Sequence, residues 1–279
     1  MTAPAPKVLA EEVGIPVFQP ERLRKSEVVE RVAALKVDLI VVMAYGQILP
    51  KAVLEAPRLA CLNLHASILP KYRGAAPIQA AIFSGDNESG ITVMHMAQGL
   101  DTGDVLLTET LELATDETGG SLHDRLAELG PVALGRAISA LEAGTAPREP
   151  QDDSLATHVG KLSREDGRID WSQPAEEIER MIRAYDPWPG TMTGVVKGGN
   201  DDGKPKVVKV LPPTETEKVE RHAEAPGAVL RADKRGILIA TGDCEYALLL
   251  KRVQPQSKKV MDASAYLAGR PFGESGRFE

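Results

Sequence analysis

The chain has 279 residues, enough for two domains that each bury a core, and its hydrophobic share of 43% and charged share of 26% are ordinary for a globular protein. No apolar run is long enough to span a bilayer, and residues 1–7 lack the apolar core of a signal peptide. Cys61 and Cys244 are far apart with no partners at metal-ligand spacing, which argues against a disulfide framework or a zinc site. We therefore predict a cytoplasmic protein that binds neither a metal nor a membrane.

The net charge of -7 is unevenly distributed along the chain. Residues 201–279 carry 14 Lys and Arg against 12 Asp and Glu, whereas residues 1–200 carry 19 against 28. This asymmetry fits a C-terminal part that meets a polyanion and an N-terminal part that does not. Solvated surface charge explains it about as well, so the charge pattern alone does not identify a partner.

The first sixty residues alternate between helical and extended patterns. Helical spacing over Val8–Val13 stops at Gly14, and a short strand is predicted over Ile15–Phe18. A second helix is predicted from the apolar face between Val28 and Leu35. The unbroken apolar run Leu39–Ala44 is typical of a strand buried on both faces. Alternation of strands and helices predicts a parallel, doubly wound α/β sheet.

The remaining elements separate into two groups around a region rich in Pro, Asp and Glu. Before it we predict a helix over Ala75–Phe83, strands over Gly90–Met96 and Val105–Leu113, and a helix from Ser121 to Leu141 that Gly130-Pro131 should interrupt. After it come a helix over Ala175–Ala184 and several short strands, with a tight turn at Asn200–Gly203. Short strands between turn signals favour a small barrel. The predicted organisation is a first domain at 1–146, a linker at 147–165 and a second domain at 166–279.

The most informative stretch is a strand that ends in polar side chains. Cys61 to Leu64 alternate apolar and polar positions, and the pattern places Asn63, His65 and Ser67 on one side. In an open α/β sheet, ligands bind just outside the carboxyl ends of the strands. An amide, an imidazole and a hydroxyl together can polarise a carbonyl and move a proton. On spacing alone, a capped strand end with a satisfied histidine remains an equal alternative.

Two motifs carry a resemblance to a known family. Asn63-x-His65-x-Ser67-x-Leu69-Pro70 is followed by Arg-Gly-Ala-Ala-Pro-Ile-Gln at residues 73–79, and Gly-Leu-Asp-Thr-Gly-Asp occupies residues 99–104. The first resembles the signature of the folate-dependent formyltransferases, and the second resembles the loop that carries their catalytic aspartate. The resemblance covers nearly the whole chain and is strongest to the members that act on methionyl-tRNA. It implies a Rossmann-like formyltransferase domain followed by a small barrel similar to an oligonucleotide-binding (OB) fold.

The resemblance also implies a reaction and a set of site residues. The donor would be 10-formyltetrahydrofolate, and the acceptor would be the α-amino group of methionyl-initiator tRNA. Asn63 would bind the oxyanion, His65 would act as general base and acid, and Asp101 would orient His65 or a bridging water. The family's folate-contacting segment corresponds to Ser67, Ile68, Leu69 and Pro70. Tyr45 and Gly46 would help to wall the pterin pocket, with a simple strand end as an equal alternative. Contacts with tRNA are expected from Arg73, Lys251, Arg252, Lys258 and Lys259, with a solvated barrel edge as the alternative for the lysines and support of the loop as the alternative for Arg73.

The start of the chain departs from the family's pattern. Family members begin with a strand, a Gly-Thr-Pro turn and a helix, and nothing like that unit precedes Lys7. We therefore expect the first two strands, which lie in the middle of the family's sheet, to be missing. Ile15–Phe18 would then have no neighbour bridging it to Leu39–Ala44.

Three functions remain open from the sequence. The first is formylation of methionyl-tRNA by a monomeric enzyme, which is favoured because residues 249–255, 258–261 and 269–271 resemble the members that act on tRNA. The second is formyl transfer to the amine of a sugar nucleotide by the same catalytic residues. The third is an inactive or binding-only remnant, because of the expected loss of the opening strands.

Overall fold

The two largest hydrophobic cores among the described residues lie one in each predicted domain. The computed structural model describes residues 3–198, 204–269, 271–273 and 276–279. The predicted turn at Asn200–Gly203 lies outside these residues. The helices are α1 Ala5–Glu12, α2 Ser26–Ala34, α3 Lys51–Leu54, α4 Pro77–Phe83, α5 Gly119–Glu142, α6 Ala175–Ala184 and α7 Ala263–Gly269. The strands are β1 Leu39–Val42, β2 Ala60–His65, β3 Arg73–Gly74, β4 Glu88–His95, β5 Val105–Glu112, β6 His158–Val159, β7 Thr191–Val196, β8 Lys206–Lys218, β9 Val229–Asp233, β10 Gly236–Ala240, β11 Tyr246–Pro255, β12 Met261–Asp262 and β13 Arg277–Phe278.

The first domain is built on a four-stranded sheet in the order β1-β2-β4-β5. Leu62 and Leu64 of β2 and Ile91 and Val93 of β4 pack in its core together with helix α5. The predicted α/β class is confirmed, but only the β1–β2 pair is parallel, and β4 runs antiparallel to both β2 and β5. The loop between β4 and β5 is too short for the crossover of a dozen residues that parallel strands require.

The edge of this sheet differs from the sequence prediction. Ile15–Phe18 is not a strand, because Pro16 lacks an N–H and no strand among the described residues lies beside the segment. The predicted run Leu39–Ala44 ends at Val42, and its strand lies at the sheet edge instead of being buried on both faces. Val41 is therefore 41% exposed and Met43 is 58% exposed.

Helix α5 covers one face of the sheet without the predicted interruption. Thr118 caps it, since the Thr118 hydroxyl accepts the Ser121 N–H at 3.1 Å and the Ser121 hydroxyl accepts the Thr118 N–H at 2.9 Å. The helix continues through Pro131 to Glu142. The buried side of its central turns packs against the core, so tertiary burial outweighs the local cost of the proline.

The second domain is an antiparallel barrel, as predicted. Its sheet has the order β13-β7-β8-β11-β10-β9, with β12 paired to β11. The C-terminal strand β13 closes the barrel, because it pairs with β7 while the Phe278 N–H donates to the Gly227 carbonyl at 2.8 Å. Gly227 has a φ of +88°, and a Cβ there would lie 2.2 Å from the Phe278 carbonyl oxygen. Closure at this point therefore requires glycine.

Helix α6 joins the two domains. Its Ile178 and Ile182 lie in the barrel core, whereas Ala184 lies in the core of the first domain. Across the junction the Arg180 side chain donates to the Phe83 carbonyl at 3.0 Å, and the Phe83 ring stacks on Tyr185. These contacts fix the barrel against helix α4 of the first domain.

The predicted linker is packed on the first domain along part of its length. Strand β6 pairs with β3, which places His158 beside Arg73 and Val159 beside Gly74. Upstream, Glu149 bridges to Val105 at the start of β5. The linker therefore contacts the loop that follows the Asn63/His65 strand.

Closure of the barrel provides a stability prediction. Phe278 is 2% exposed, and its ring lies 5.6 Å from both Trp171 and Phe272. We expect Phe278→Ala to lower the free energy of unfolding of the barrel by about 3–5 kcal/mol, through lost burial and the cavity left behind. Urea unfolding followed by tryptophan fluorescence measures it. The matched control is Phe18→Ala, at a position that is 43% exposed beside Arg31, where we expect a loss below about 1 kcal/mol. Equal losses in the two variants would contradict this account of closure.

Candidate active site

The side chains of β2 point alternately into the core and toward the site. Leu62 and Leu64 are in the first core, so the two-residue repeat turns Asn63 and His65 to the opposite face. Asn63 and His65 are 8% and 6% exposed. In the antiparallel pairing with β4, Asn63 lies opposite Met94 and His65 lies opposite Thr92. The predicted polar cluster is therefore a buried site at the end of β2.

His65 lies between a backbone carbonyl and a carboxylate. Its Nε2 lies 2.9 Å from the Tyr72 carbonyl oxygen, and its Nδ1 lies 3.7 Å from Oδ2 of Asp101. A carbonyl only accepts hydrogen bonds, so Nε2 carries a proton, and Nδ1 is the position that gains or loses one. A proton on Nδ1 would face the Asp101 carboxylate.

Asp101 is presented by a tightly held loop. Its φ of +54° is in the left-handed region, which is uncommon for a residue with a side chain. Its Oδ2 accepts the Gly74 N–H at 2.8 Å. A Cβ on Gly103 would lie 1.6 Å from the His95 carbonyl oxygen, so the loop packs directly on the end of β4. Asp104 lies 3.9 Å from Arg148, and this pairing leaves Asp101 as the carboxylate beside His65.

The Asn63 amide is available to a ligand. The residue is 8% exposed, and its side chain makes no hydrogen bond to any of the residues that the structure describes. Its amide atoms are not among the fully enclosed polar atoms that lack a partner, so a ligand entering on the face of His65 can reach them. Its NH₂ group can donate to a developing oxyanion.

The segment after β2 is fixed by hydrogen bonds to its own backbone and to β4. The Ser67 hydroxyl donates to the Lys71 carbonyl at 2.6 Å. The Thr92 hydroxyl donates to the Ser67 carbonyl at 2.7 Å and accepts the Leu69 N–H at 3.1 Å. Leu69 is buried, whereas Ile68 and Pro70 are half-buried. Sequence reasoning missed Thr92, although a polar residue within the apolar run Gly90–Met96 was a detectable signal.

Tyr45 and Gly46 follow the end of β1, at the same end of the sheet as the polar cluster. Parallel pairing aligns Val42 with Asn63, so the loop after β1 lies beside the strand that carries the site. Tyr45 is 43% exposed, and open space surrounds the Cβ position of Gly46. Gln47 anchors this loop, since its side-chain oxygen accepts the Leu23 N–H at 3.0 Å.

The five residues expected to contact tRNA occupy different environments. Arg73 is only 3% exposed, and its guanidinium bonds to Gln151 and Asp153, which favours support of the loop over contact with tRNA. Lys251 is paired with Glu215, and Arg252 donates to the Pro212 carbonyl at 3.4 Å. The turn after β11 presents the exposed side chains of Lys258 and Lys259. The four barrel residues therefore lie on another domain from His65.

Two ionisable side chains near the site, those of Cys61 and His95, are unsuited to serve as its nucleophile or its imidazole. Burial raises the pKa of the Cys61 thiol to about 11, so the thiol is protonated at neutral pH and is a poor nucleophile. Burial, followed by the nearby Arg148 guanidinium, holds the pKa of His95 below its usual value. Register with Leu62 also turns His95 toward the core face, away from His65. His65 is therefore the imidazole of the site.

Cys61 and Cys244 are both free thiols. Among the residues that the structure describes, no three His, Cys, Asp or Glu side chains are grouped as metal ligands would be. In the same part of the chain, no helix has both the length and the apolar character needed to cross a bilayer.

Known proteins resemble the chain in both domains. The pattern of the formyl transferase family matches residues 2–138, and that of the formyl transferase C-terminal domain matches residues 161–271. A methionyl-tRNA formyltransferase of Pseudomonas fluorescens (strain SBW25) is 51% identical over 265 residues, which are 94% of this chain and 78% of the relative. One of Desulfotalea psychrophila is 47% identical over 273 residues, covering 98% of this chain and 81% of the relative.

A solved structure supports the fold at lower identity. The N-formyltransferase of Helicobacter canadensis, determined with folinic acid and dTDP-3-aminofucose, superposes with a TM-score of 0.59. It is 16% identical and covers 88% of this chain and 81% of its own. The two matched domains and the extent of identity lead to one conclusion: the chain belongs to the formyltransferase family.

Proposed function

We propose that the protein transfers the formyl group of 10-formyltetrahydrofolate to the α-amino group of methionyl-initiator tRNA. Identity of about half to methionyl-tRNA formyltransferases, extending over both domains, is the observation that carries this function. The acceptor is thus an aminoacyl ester on RNA and the donor is a formylated folate. The reaction belongs to the start of protein synthesis.

The first chemical step forms a tetrahedral oxyanion. The neutral α-amino group attacks the formyl carbon, and the carbonyl oxygen gains negative charge. The unpaired Asn63 amide donates a hydrogen bond to that oxygen at the point where the charge develops. Losing one such donor costs roughly 10²–10³ in kcat in other acyl-transfer sites.

The second step moves a proton and releases the folate. An α-amino group has a pKa of about 7.7–8.0, so a substantial part is already neutral at working pH and needs little activation. The tetrahedral intermediate carries the proton of the attacking amine, and the departing folate nitrogen must receive one. His65 takes up the first proton and delivers the second. Asp101 stabilises the charged ring, because its Oδ2 lies 3.7 Å from Nδ1 of His65.

The folate is assigned to the segment after β2 and to the loop after β1. Ser67, Ile68, Leu69 and Pro70 supply a rigid wall because Thr92 pins their backbone. Tyr45 and Gly46 contribute from the neighbouring loop. Support for a folate ligand comes from the Helicobacter canadensis enzyme, which was determined with folinic acid, a formylated tetrahydrofolate. Every step described here uses side chains of this chain and the two substrates, with no metal.

The tRNA is assigned mainly to the barrel. We propose a catalytic domain at 1–146, a linker at 147–165 and a tRNA-binding domain at 166–279, acting as a cytoplasmic monomer. Lys251, Arg252, Lys258 and Lys259 lie on one strand and its following turn, where phosphate contacts would be independent of base sequence. Arg73 is assigned to the catalytic domain's own loop because of its burial.

The rival functions are separated by one assay. The protein is incubated with 10-formyltetrahydrofolate and either methionyl-initiator tRNA or an amino-sugar nucleotide, and formylated product is measured. We expect formylation of the tRNA substrate and none of the sugar. Formylation of the sugar alone would support the sugar-nucleotide function. Binding of tRNA without turnover of either amine would support the binding-only alternative.

The role of His65 makes the first prediction for the site. We expect His65→Ala to lower kcat at least about 10²-fold, the usual contribution of a general acid–base group, because no other imidazole serves the site. The dissociation constant for methionyl-tRNA, measured by filter binding, should remain within about twofold, since the barrel holds most of the phosphate contacts. Equal losses of kcat and affinity would contradict the assignment.

The unpaired amide of Asn63 provides the second prediction for the site. Asn63→Ala should lower kcat by roughly 10²–10³ with little change in KM, because the hydrogen bond forms only as the oxyanion develops. Steady-state kinetics with both substrates measures this split. Asn87→Ala, at an exposed position before β4, is the matched control and should retain the wild-type kcat. A rise in KM without a fall in kcat would show that Asn63 only binds substrate.

The exposed barrel lysines, Lys258 and Lys259, provide the third prediction. Replacing both Lys258 and Lys259 with Ala should weaken tRNA binding and reduce the slope of log affinity against log salt by about 1 to 2, with kcat unchanged at saturation. The control replaces Lys25 and Lys36, two exposed lysines of the first domain. An unchanged salt slope would identify the lysines as a solvated barrel edge.

A further inference from the structure

The Gln151 side chain, in the linker, joins three separate parts of the site. Its Nε2 donates to the Asp101 carbonyl at 2.9 Å and to the Gly103 carbonyl at 2.7 Å. Its Oε1 accepts from Nε and Nη2 of Arg73 at 3.0 and 2.8 Å. An amide has two donors and two acceptor lone pairs, so all four are used. A flipped amide would place its NH₂ against the guanidinium, so only this orientation satisfies the partners.

Gln151 donates both of these hydrogen bonds to the loop that carries Asp101. They hold the carbonyls of Asp101 and Gly103 on either side of the left-handed turn at Asp101. The same Nε2 lies 4.0 Å from Sδ of Met94, which faces the site beside Asn63. Gln151 therefore lies on the same face of the sheet as His65. It contacts the backbone carbonyl of Asp101, the residue whose carboxylate faces the imidazole.

The accepted bonds involve a buried cation. Arg73 is 3% exposed, and its other partner, Asp153, is 83% exposed at its side chain. The uncharged Gln151 oxygen is consequently the sheltered partner of the guanidinium. Arg73 precedes Gly74, whose N–H holds the Asp101 carboxylate. One hydrogen-bond network therefore holds Asp101 at two points. Gln151 donates to its backbone carbonyl, and the Gly74 N–H donates to its carboxylate.

We propose that Gln151 is a positioning residue for catalysis, one that acts through Asp101 by holding its carboxylate toward His65. This inference rests on the proposed formyl-transfer function. Gln151 itself touches neither the reacting atoms nor His65. It belongs to the linker, so the segment between the two domains takes part in building the catalytic site.

The test is Gln151→Glu. Glutamate keeps the length and pairs with Arg73 at least as well, but it places a carboxylate oxygen against the two carbonyls and loses both donors. We expect kcat for methionyl-tRNA formylation to fall roughly 10–100-fold, as for loss of comparable supporting contacts, with KM for both substrates within about twofold. Gln19→Glu, at an exposed position, is the matched control. A wild-type kcat in Gln151→Glu, or a loss confined to KM, would overturn the proposal.

A second arm asks whether the effect passes through Asp101. When Gln151→Glu is added to the Asp101→Asn variant, kcat should fall by less than about a further threefold, because the effects of residues that act as one unit are not additive. The same fold-loss in both backgrounds would overturn the proposal. If Gln151→Glu does not fold, Gln151→Met, which removes the donors without adding charge, replaces it in both arms.

A third arm does not depend on activity. In a crystal structure of Gln151→Glu, the distance between Oδ2 of Asp101 and Nδ1 of His65 should differ from 3.7 Å by more than about 1 Å, a displacement large enough to affect catalysis. An unchanged distance would overturn the positioning role. Absence of formylation by the wild-type protein would instead count against the proposed function, and this arm would still decide whether Gln151 positions Asp101.

Discussion

The alternation of side chains along β2 is the constraint on which the rest of the site depends. Leu62 and Leu64 are buried in the first core, so the strand cannot shift by one residue without moving them out of that core and placing Asn63 and His65 in it. Core packing thereby fixes the face of the candidate site. Neighbouring segments then supply a carboxylate, a carbonyl and the proposed folate-binding segment around two side chains whose direction is already set.

The site is completed by contacts that are distant in sequence. The Asp101 carboxylate is held by the Gly74 N–H, and the Asp101 loop is held by Gln151 from beyond helix α5. Strands β3 and β6 bring the linker to the same place. Because the barrel follows directly after this linker, and α6 packs on both cores, the proposed tRNA-binding segment is physically continuous with the segment that holds the Asp101 loop.

The sequence predicted the parts of the fold that local patterns determine. The β2 strand, the Asn63/His65 face, the small barrel and the class of the first domain all follow from alternation and turn signals. Local patterns do not show whether a neighbouring strand exists, so Ile15–Phe18 was wrongly predicted as a strand and β1 as doubly buried. The missing neighbour itself was expected, because the start of the chain departs from the family's pattern. Thr92 and Gln151 were also missed, because their roles depend on partners about 25 and 50 residues away, which no local periodicity encodes.

Whether His65 and Asp101 act as one catalytic unit is the question that most directly tests the account. The measurement is kcat for methionyl-tRNA formylation in His65→Ala, Asp101→Ala and the double variant. If Asp101 works by holding the proton-carrying ring, removing it after His65 is gone should cost less than about threefold more, and the double variant should resemble His65→Ala. A double variant whose loss equals the product of the two single losses would show that the residues act independently and would contradict the account.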